Sequence, residues 1–534
     1  MKKNFIPGIL LGIMIISLST FPLNAQFFTE ESLKFGKVLD LVNAYYVDTV
    51  DDKQLVKDVI VQMLKNLDPH SVYVSKKDVK ELNEPLQGNF EGIGIQFNIL
   101  FDTIIVISPM PGGPSEKVGL LPGDRIIGIE GENIAGIGMT TTKVRQRLLG
   151  KKGTKVKVSI KRRGVKDLLE FTITRDKIPM HSLDAAYMVK DKIGYIKLNR
   201  FSLETMSEFN QAIKRLKNQK MKDLILDLRG NGGGYLEVAT RLVDHFLPEN
   251  KLIVYMEGIH TPKRKYFTKS GDELRDGKII VLIDEGSASA SEIVAGAIQD
   301  WDRGVIVGRR SFGKGLVQRP FYLIDSSMIR LTIARYYTPT GRLIQKPYND
   351  GYESYSKDLI KRYTTGEFFT ADSIKFPDSL KYQTLVNNRV VFGGGGIMPD
   401  LFVPFDTTSY SNYYRNLVSK GIMTSFILDY VDRNRSEIKT RFQTFDKFKK
   451  LFSVNDNMLE DLIVNAHNEG LEKNEKEFAK SVNEIKLVIK ALIARDIWDT
   501  SEFYEIRNTN DIGFHKAVNI LQNNNLFRKL LTER

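Results

Sequence analysis

One stretch, residues 278–318, constrains the fold of this 534-residue chain more than any other. It opens with an apolar run of β-type residues at 279–283, passes through a charged, glycine-containing break, and continues into small hydroxyl and methyl residues at 287–291. A helical pattern of apolar residues follows at once, so the segment predicts a strand, a tight turn and a helix. Such a turn can present a serine hydroxyl at a helix N-terminus, where the helix dipole and free N–H groups favour negative charge.

A candidate base for that serine lies in the same stretch. A serine needs a neighbouring base to act as a nucleophile, and the stretch contains no histidine but does contain Lys314, between Gly313 and Gly315. A buried lysine loses its proton more readily, because desolvation disfavours the charged form, and Ser–Lys pairs are a known variant of the serine-protease arrangement. The alternative is that the serines only cap the helix and that Lys314 is a surface charge.

Two segments of this stretch have a specific amino-acid sequence. GSASASEI and, after it, FGKGLVQ resemble the C-terminal processing peptidases, a family of tail-specific serine peptidases. This resemblance implies that Ser289 is the nucleophile and that Lys314, 25 positions later, is the base. It also implies that Gln318 orients the lysine.

A glycine-rich run, DLRGNGGG at 227–234, follows another predicted strand. It lacks the ending and the glycine spacing of nucleotide-binding loops, so it predicts a turn that offers backbone N–H groups rather than a phosphate site. In the resembling family this loop supplies one oxyanion-hole donor. The match falls on Gly233, with Gly232 as the less favoured choice, and the second donor is the N–H of Ala290.

Residues 88–177 change to a pattern of short strands and turns. The run GLLPGDRIIGIEG at 119–131 resembles a PDZ domain, a module that adds a peptide as an extra strand to a sheet edge and holds its terminal carboxylate with loop N–H groups. The alternative is a structural β-module with a filled groove. By resemblance the peptide-binding loop consists of Gly92, Ile93, Gly94 and Ile95.

The N-terminus predicts export. Lys2 and Lys3 precede an apolar stretch at 5–18, and Ala25–Gln26 is a suitable cleavage point for a secretory signal peptide. Leu23 is larger than the residue favoured at its position, which leaves an uncleaved membrane anchor as the alternative. We therefore expect a cleaved signal and a protein of the cell envelope, periplasmic in a bacterium with two membranes.

The whole sequence predicts an α/β multidomain protein with five regions. The repeated strand–helix alternation indicates an α/β core, and the resemblance implies a crotonase-like ββα core with an inserted PDZ β-domain. The glycines at 393–400, in a run that also resembles the family, predict close backbone packing. The regions are a signal peptide (1–25), an N-terminal helical segment (26–87), the PDZ domain (88–177), the serine peptidase core (178–405, with an insertion at about 349–388) and a helical C-terminal region (406–534).

Composition excludes several classes of function. The chain has no cysteine, which rules out disulfides, thiol catalysis, thiolate metal sites and lipid attachment through an N-terminal cysteine. Its six histidines form no close ligand pair, so we expect no metal and no cofactor. The net charge is +13, but the basic residues are spread through the chain among acidic ones. This distribution indicates solvent-exposed charged surfaces with weak attraction to anionic surfaces rather than nucleic-acid binding.

Two hypotheses for function remain. The favoured one is a secreted serine endopeptidase that recognises the free C-terminal tails of protein substrates; the other is a catalytically silent PDZ adaptor of the cell envelope. The joint presence of Ser289, Lys314 and Gln318 favours the enzyme. His70, in the helix break LDPHS, is a further candidate base but belongs to no triad pattern. The apolar stripes of the C-terminal region indicate ordinary core contacts, with an adaptor or homo-oligomer surface as the alternative.

Overall fold

The computed structural model describes residues 29–100, 102–190, 192–269 and 274–532. The predicted signal peptide, residues 1–25, lies outside the described residues. The chain divides into two compact units, one that ends at Met63 and one that begins at Leu64. Within the described ranges, none of the helices is both long and apolar enough to cross a membrane.

The region before the predicted PDZ domain is mainly helical, as expected. The break at 67–71 is a turn in which the Asp68 carboxylate accepts the N–H groups of His70 (2.7 Å) and Ser71 (2.9 Å). A short strand that the sequence analysis did not predict follows this turn, because it pairs with a strand more than 250 positions away. The elements are α1 (Glu30–Tyr45), α2 (Asp52–Lys65), β1 (Val72–Val74) and α3 (Lys76–Gln87).

The next region is a small β-module around its own apolar core. Its elements are β2 (Asn89–Gly92), β3 (Ile95–Leu100), β4 (Thr103–Pro109), α4 (Pro114–Lys117), β5 (Arg125–Ile129), β6 (Glu132–Asn133), α5 (Thr141–Leu148), β7 (Lys155–Lys161), β8 (Leu169–Thr174) and β9 (Asp176–Pro179). The sheet runs β3-β4-β5-β7-β8, with β6 beside β5, so β3 lies at an edge. Strands β2 and β9 pair with each other and connect the module to the rest of the chain, and the predicted boundary after residue 177 falls inside β9.

The central region alternates strands and helices. Its elements are β10 (Leu183–Lys190), β11 (Ile193–Leu198), α6 (Thr205–Asn218), β12 (Asp223–Asp227), α7 (Leu236–Asp244), β13 (Leu252–Gly258), β14 (Thr261–Phe267), β15 (Ile279–Ile283), α8 (Ala290–Asp300), β16 (Val305–Gly308), β17 (Leu316–Tyr322), β18 (Met328–Tyr337), α9 (Gly351–Ser356), α10 (Asp358–Thr364), β19 (Lys381–Gln383), β20 (Val390–Phe392) and β21 (Leu401–Phe402). Two short 3-10 helices, Ala371–Ser373 and Asp378–Leu380, lie in the predicted insertion.

A six-stranded sheet organises this region. Its order is β10-β11-β12-β15-β16-β21, and all neighbours are parallel except β10 and β11. Helices α6, α7 and α8 bury their apolar faces on one side of it, as expected for strand–helix alternation. A second sheet, β1-β18-β13-β14 with β17 also paired to β18, lies beside the first, and β19 pairs only with β20.

The C-terminal region is helical, as predicted. Its helices are α11 (Asn412–Ser419), α12 (Ile422–Phe442), α13 (Phe445–Leu451), α14 (Asp456–Asn468), α15 (Glu475–Ile497), α16 (Thr500–Arg507), α17 (Ile512–Gln522) and α18 (Asn524–Thr532), with a 3-10 turn at Asn508–Asn510. The predicted stripes on α12 and α15 are core contacts, since Phe426, Ile427 and Ile489 lie in one buried cluster. Helices α17 and α18 instead cover the second face of the six-stranded sheet, where Phe514 and Ile520 meet residues of β11, β12 and β15.

Candidate active site

The predicted nucleophile, Ser289, lies in a tight turn between β15 and α8. All five residues of β15 are buried, and the chain leaves the strand through a turn that ends at Ser289, immediately before the helix. Ser289 is half-buried between the buried Ala288 and Ala290, and its φ is +55°. Residues that only cap a helix usually have extended backbone angles, so capping alone does not account for this conformation.

The neighbouring serines hold the turn in place. The Ser287 hydroxyl donates to the Leu228 carbonyl at 2.8 Å, and the Ser291 hydroxyl donates to the Asn231 carbonyl at 2.8 Å. The same Asn231 carbonyl accepts the Ala288 N–H at 3.0 Å. The glycine-rich loop at 227–234 is therefore bonded directly to the turn that carries Ser289.

Two side chains join the backbone of Ser289 to that of Lys314. Glu292 Oε2 accepts the N–H of Ser289 at 2.8 Å and the N–H of Lys314 at 2.9 Å, so the two amide nitrogens are at most about 5.7 Å apart. The Tyr336 hydroxyl lies within hydrogen-bond distance of the carbonyl oxygens of Ser289 (3.1 Å) and Lys314. The structure thus places the main chain of the predicted nucleophile beside the main chain of the predicted base.

The Lys314 side chain is half-buried, and its amine is held by Gln318. Its Nζ donates to Gln318 Oε1 at 3.0 Å, and Gln318 Nε2 in turn donates to the main-chain carbonyl of His70 at 2.5 Å. Burial, followed by the nearby charge of Arg330, lowers the pKa of Lys314, against the opposing effects of two acids. A lowered pKa increases the fraction of neutral amine, the form that can accept a proton.

Glu292 is a site residue that the sequence analysis missed. Its carboxylate also accepts the Ser311 hydroxyl at 2.5 Å and the Gly313 N–H at 2.7 Å, so four donors converge on it. Burial raises its pKa to about 7, while these hydrogen bonds favour the ionised form. The Ser-x-x-Glu spacing of a capping box could have pointed to Glu292. No local signal could have identified Tyr336, because its hydroxyl meets the Ser289 and Lys314 carbonyl oxygens only in the folded protein.

The predicted close packing of glycines occurs behind the lysine loop. A Cβ on Gly396 would lie 2.7 Å from the Ser311 carbonyl oxygen, and a Cβ on Gly313 would lie 3.1 Å from the backbone of Gly395 and Gly396. Only glycines allow this approach of two backbones. The Gly393–Gly396 run therefore supports the loop that carries Lys314.

His70 takes part in the site through its main chain. Its imidazole Nε2 lies 2.7 Å from the Tyr355 hydroxyl, and burial, followed by the charge of Lys314, lowers the pKa of His70 to about 4. The side chain is thus neutral at neutral pH and engaged with the insertion at about 349–388, whereas its carbonyl oxygen anchors Gln318. These contacts give His70 a supporting position and no triad partner.

The two predicted oxyanion donors differ in availability. Across the described residues, the N–H groups of Ala290 and Gly232 have no hydrogen-bond acceptor. The Gly233 N–H donates to Asn231 Oδ1 at 2.9 Å, so in this arrangement it is already engaged. Gly233 is instead packed against the nucleophile turn, since a Cβ there would lie 2.8 Å from Ser289 Cβ. Gly232, the less favoured choice, is exposed.

The β-module has a groove beside its edge strand β3. Ile93, Gly94 and Ile95 line a cavity of about 180 Å³ together with residues of α5, and in the described part of the chain the N–H groups of Ile93 and Gly94 have no acceptor. Gly92, the fourth predicted residue, does not line this cavity, because it pairs with Asp176 in the β2–β9 connection. The groove has the edge strand and the free N–H groups that binding of a peptide C-terminus requires.

Parts of the chain are similar to known protein families and to solved structures. A sequence model of Peptidase family S41 matches residues 192–351, one of a PDZ domain matches residues 105–162, and one of a family of unknown function matches residues 413–499. A solved photosystem II D1 C-terminal processing protease shares 28% identity over 59% of this chain and 91% of its own, with a TM-score of 0.34.

Curated relatives cover more of the chain. The carboxy-terminal-processing protease of Bartonella bacilliformis is 37% identical over 347 residues, which is 64% of this chain and 79% of that protein. Carboxy-terminal processing protease CtpB of Bacillus subtilis is 33% identical over 427 residues, 78% of this chain and 86% of that protein. The peptidase and PDZ matches define the class, a serine-type peptidase with a PDZ domain. Within that class, the chain belongs to the family of carboxy-terminal processing proteases.

Proposed function

We propose that this protein is an exported endopeptidase that captures the free C-terminal tail of a protein substrate in its PDZ groove and cleaves peptide bonds with a Ser289–Lys314 dyad. The observation that carries the proposal is the shared anchorage of the two residues. One Glu292 oxygen accepts both of their N–H groups, while the half-buried Lys314 donates its Nζ to Gln318. Membership of a serine peptidase family supports the same reading.

The proposed hydrolysis begins with the neutral Lys314 amine as proton acceptor. Lys314 Nζ takes the hydroxyl proton as Ser289 Oγ attacks the peptide carbonyl carbon, and the tetrahedral intermediate carries its negative charge on the former carbonyl oxygen. The resulting ammonium returns the proton to the leaving amine, and an ester on Ser289 remains. Water then attacks that ester, again with Lys314 as the proton acceptor, and releases the new C-terminus and the serine hydroxyl.

The oxyanion requires N–H donors that are not already committed. Ala290 N–H is free and follows the nucleophile directly, so we assign it as one donor. Gly232 N–H is the second candidate in this arrangement. Gly233 serves only if the Asn231 amide turns away and releases its N–H. Loss of one such donor usually costs about a hundred- to a thousandfold in rate.

The PDZ groove would select the substrate. An extended tail would pair with the free edge of β3, and the N–H groups of Ile93 and Gly94 would hold its terminal carboxylate. We further propose that the parallel sheet with α6, α7 and α8 is a crotonase-type ββα core, which its parallel strand pairs support. The sequence features of residues 1–25 support export and, with two membranes, a periplasmic location.

The test is cleavage of a fluorogenic peptide with an apolar C-terminus by the exported protein. Ser289→Ala and Lys314→Ala are expected to abolish hydrolysis, while binding of a non-cleavable tail peptide to the PDZ groove stays unchanged. Full activity of purified Ser289→Ala would contradict the proposed mechanism. Tail binding by the wild type without any hydrolysis would favour the adaptor hypothesis instead.

A further inference from the structure

The glycine-rich loop at 227–234 supports the nucleophile turn, so whatever fixes this loop also fixes the site. Gly230 N–H donates to Asp284 Oδ1 at 2.8 Å, and the Asn231 carbonyl accepts from Ala288 and Ser291. The loop therefore contacts both ends of the turn that carries Ser289. A shift of the loop would move the turn and the exposed Gly232 N–H with it.

The Arg229 side chain anchors this loop to the end of β12. Its Nη2 donates to Asp227 Oδ2 at 2.6 Å and its main-chain N–H donates to Asp227 Oδ1 at 2.9 Å, while its carbonyl accepts Lys197 Nζ at 2.9 Å. Asp227 is fully buried at the end of β12 and also accepts the Tyr195 hydroxyl at 2.7 Å. The inner edge of the guanidinium is thus fixed to the sheet.

The outer edge of the same guanidinium is held by the C-terminal region. Arg229 Nη1 donates to both oxygens of Asp511, at 3.0 and 2.8 Å, across 282 positions of sequence. Asp511 lies beyond the residues matched by the peptidase, PDZ and unknown-function family models. Hydrogen bonds between a guanidinium and a carboxylate are stronger than those between neutral groups, because both partners are charged.

Asp511 is itself held rigidly. It precedes α17 and caps it, since Asp511 Oδ1 accepts the Phe514 N–H at 2.6 Å. Phe514, Ala517 and Ile520 of that helix are buried against the second face of the six-stranded sheet. The carboxylate is therefore presented to Arg229 from an element that packs on the same strands that carry the active site.

We propose that Asp511 is a positioning residue for peptide hydrolysis, which fixes Arg229 and through it the 227–234 loop beside Ser289. The inference rests on the proposed function of that site. The simpler alternative is that Asp511 only caps α17. A displacement of about 1 Å in a catalytic arrangement can cost about a hundredfold in rate, so loss of this anchor should appear in kcat rather than in substrate affinity.

Asp511→Asn separates the two roles. Asparagine is as good a helix cap as aspartate, so the capping oxygen and α17 are retained, while the negative charge opposite Arg229 is lost. Glu505→Gln is the matched control, because it breaks another ion pair of the C-terminal region, Glu505 Oε1 to Lys449 Nζ at 2.6 Å, which contacts neither Arg229 nor its loop. Asp511→Glu restores the charge and tests for rescue.

The experiment measures kcat and KM for the fluorogenic peptide in the full-length protein, with thermal melting and PDZ tail-peptide affinity alongside. Asp511→Asn is expected to lower kcat about ten- to a hundredfold with KM changed less than about twofold, and Asp511→Glu is expected to recover at least part of it. Glu505→Gln should match the wild type.

Two outcomes would overturn the inference. One is a kcat for Asp511→Asn equal to that of Glu505→Gln. The other is a fall in kcat that comes only with a lower melting temperature, without rescue by Asp511→Glu, which would show that Asp511 only caps α17. Full hydrolysis by Ser289→Ala would instead refute the proposed function itself, so the two failures are distinguishable.

Discussion

At the scale of single residues, the burial of Lys314 opposes stability while it prepares the residue for proton transfer. Its pKa in the folded protein is lowered from 10.5 by burial and by Arg330. Because the unfolded chain binds more protons than the folded one between these two pKa values, the free energy of unfolding rises with pH through that interval. Below the interval the folded protein bears the full cost of the buried charge.

We expect the activity to depend on the fraction of Lys314 whose amine is neutral. We expect kcat/KM to rise with pH up to an ionisation that lies below the ordinary lysine value of 10.5, since only deprotonated Lys314 can accept the serine proton. Lys314→Met should be inactive at every pH, yet melt at the same or a higher temperature than the wild type near neutral pH. A pH-independent rate, or a Met variant of clearly lower stability at neutral pH, would contradict this account.

At the scale of elements, the candidate active site lies where the ends of two strands meet. The turn after β15 carries Ser289, and the loop after β12 lies against it, as expected for the carboxyl ends of neighbouring parallel strands. Gly233 is the point of closest approach. It has a φ of +99°, and a Cβ there would lie 2.7 Å from the Ala288 carbonyl oxygen.

Gly233→Ala should therefore disrupt both elements. The methyl group has no space and the backbone angle disfavours any residue except glycine, so we expect a loss of about 1–3 kcal/mol in the free energy of unfolding and a large loss of activity. Gly232→Ala is the stability control, since a Cβ there meets no atom within 4 Å. Denaturant unfolding of the two variants tests this, and equal stability of the two would contradict it.

Much of this strand–turn–helix arrangement could be predicted from the sequence. The apolar run at 279–283 and the helical pattern after it predict β15 and α8. The resemblance implies roles for Ser289, Lys314 and Gln318, and the structure places the Lys314 amine 3.0 Å from Gln318 Oε1. The strand at Val72–Val74 was not predicted, because three residues carry too little pattern and form a strand only by pairing with β18.

The Gly233 N–H illustrates a different limit of the sequence. Whether this N–H can donate to an oxyanion depends on the orientation of one neighbouring side-chain amide, that of Asn231, which no sequence pattern encodes. Asp511 is a related case, since nothing in its local sequence indicates a partner 282 positions away. Contacts of this kind follow from tertiary packing, which local patterns cannot specify.

At the scale of the whole molecule, the C-terminal region also contacts the PDZ domain. Asp432 of α12 accepts Arg125 Nη2 at 3.1 Å, and its main-chain carbonyl accepts Arg163 Nη1 at 3.3 Å. Leu428, one turn earlier, is buried with Leu100 and Ile105 of the PDZ sheet. The PDZ domain is thus held by this contact as well as by the β2–β9 connection.

Reversal of the Asp432 charge should release this contact. Asp432→Arg places a cation against Arg125, so hydrogen exchange in β4 and β5 should become faster, and the double variant Asp432→Arg/Arg125→Asp should recover slow exchange. Asp429→Arg is the matched control on the same helix, because Asp429 pairs with Arg433 of α12 and with no other residue of the described part of the chain. Exchange that is equally slow in Asp432→Arg and Asp429→Arg would mean that the ion pair does not hold the domain.

The packing of α17 and α18 on the second face of the six-stranded sheet has a consequence for biosynthesis. During translation, β15, the strand that leads into the turn with Ser289, emerges well over two hundred residues before the helices that cover the other face of its sheet. Until those helices are synthesised, one apolar face of the sheet is uncovered. Arg229, which supports the loop at 227–234, also lacks its ion-pair partner Asp511. A nascent chain that lacks α17 and α18 therefore leaves the apolar residues of this face, among them Tyr195 and Ile225, without their packing partners.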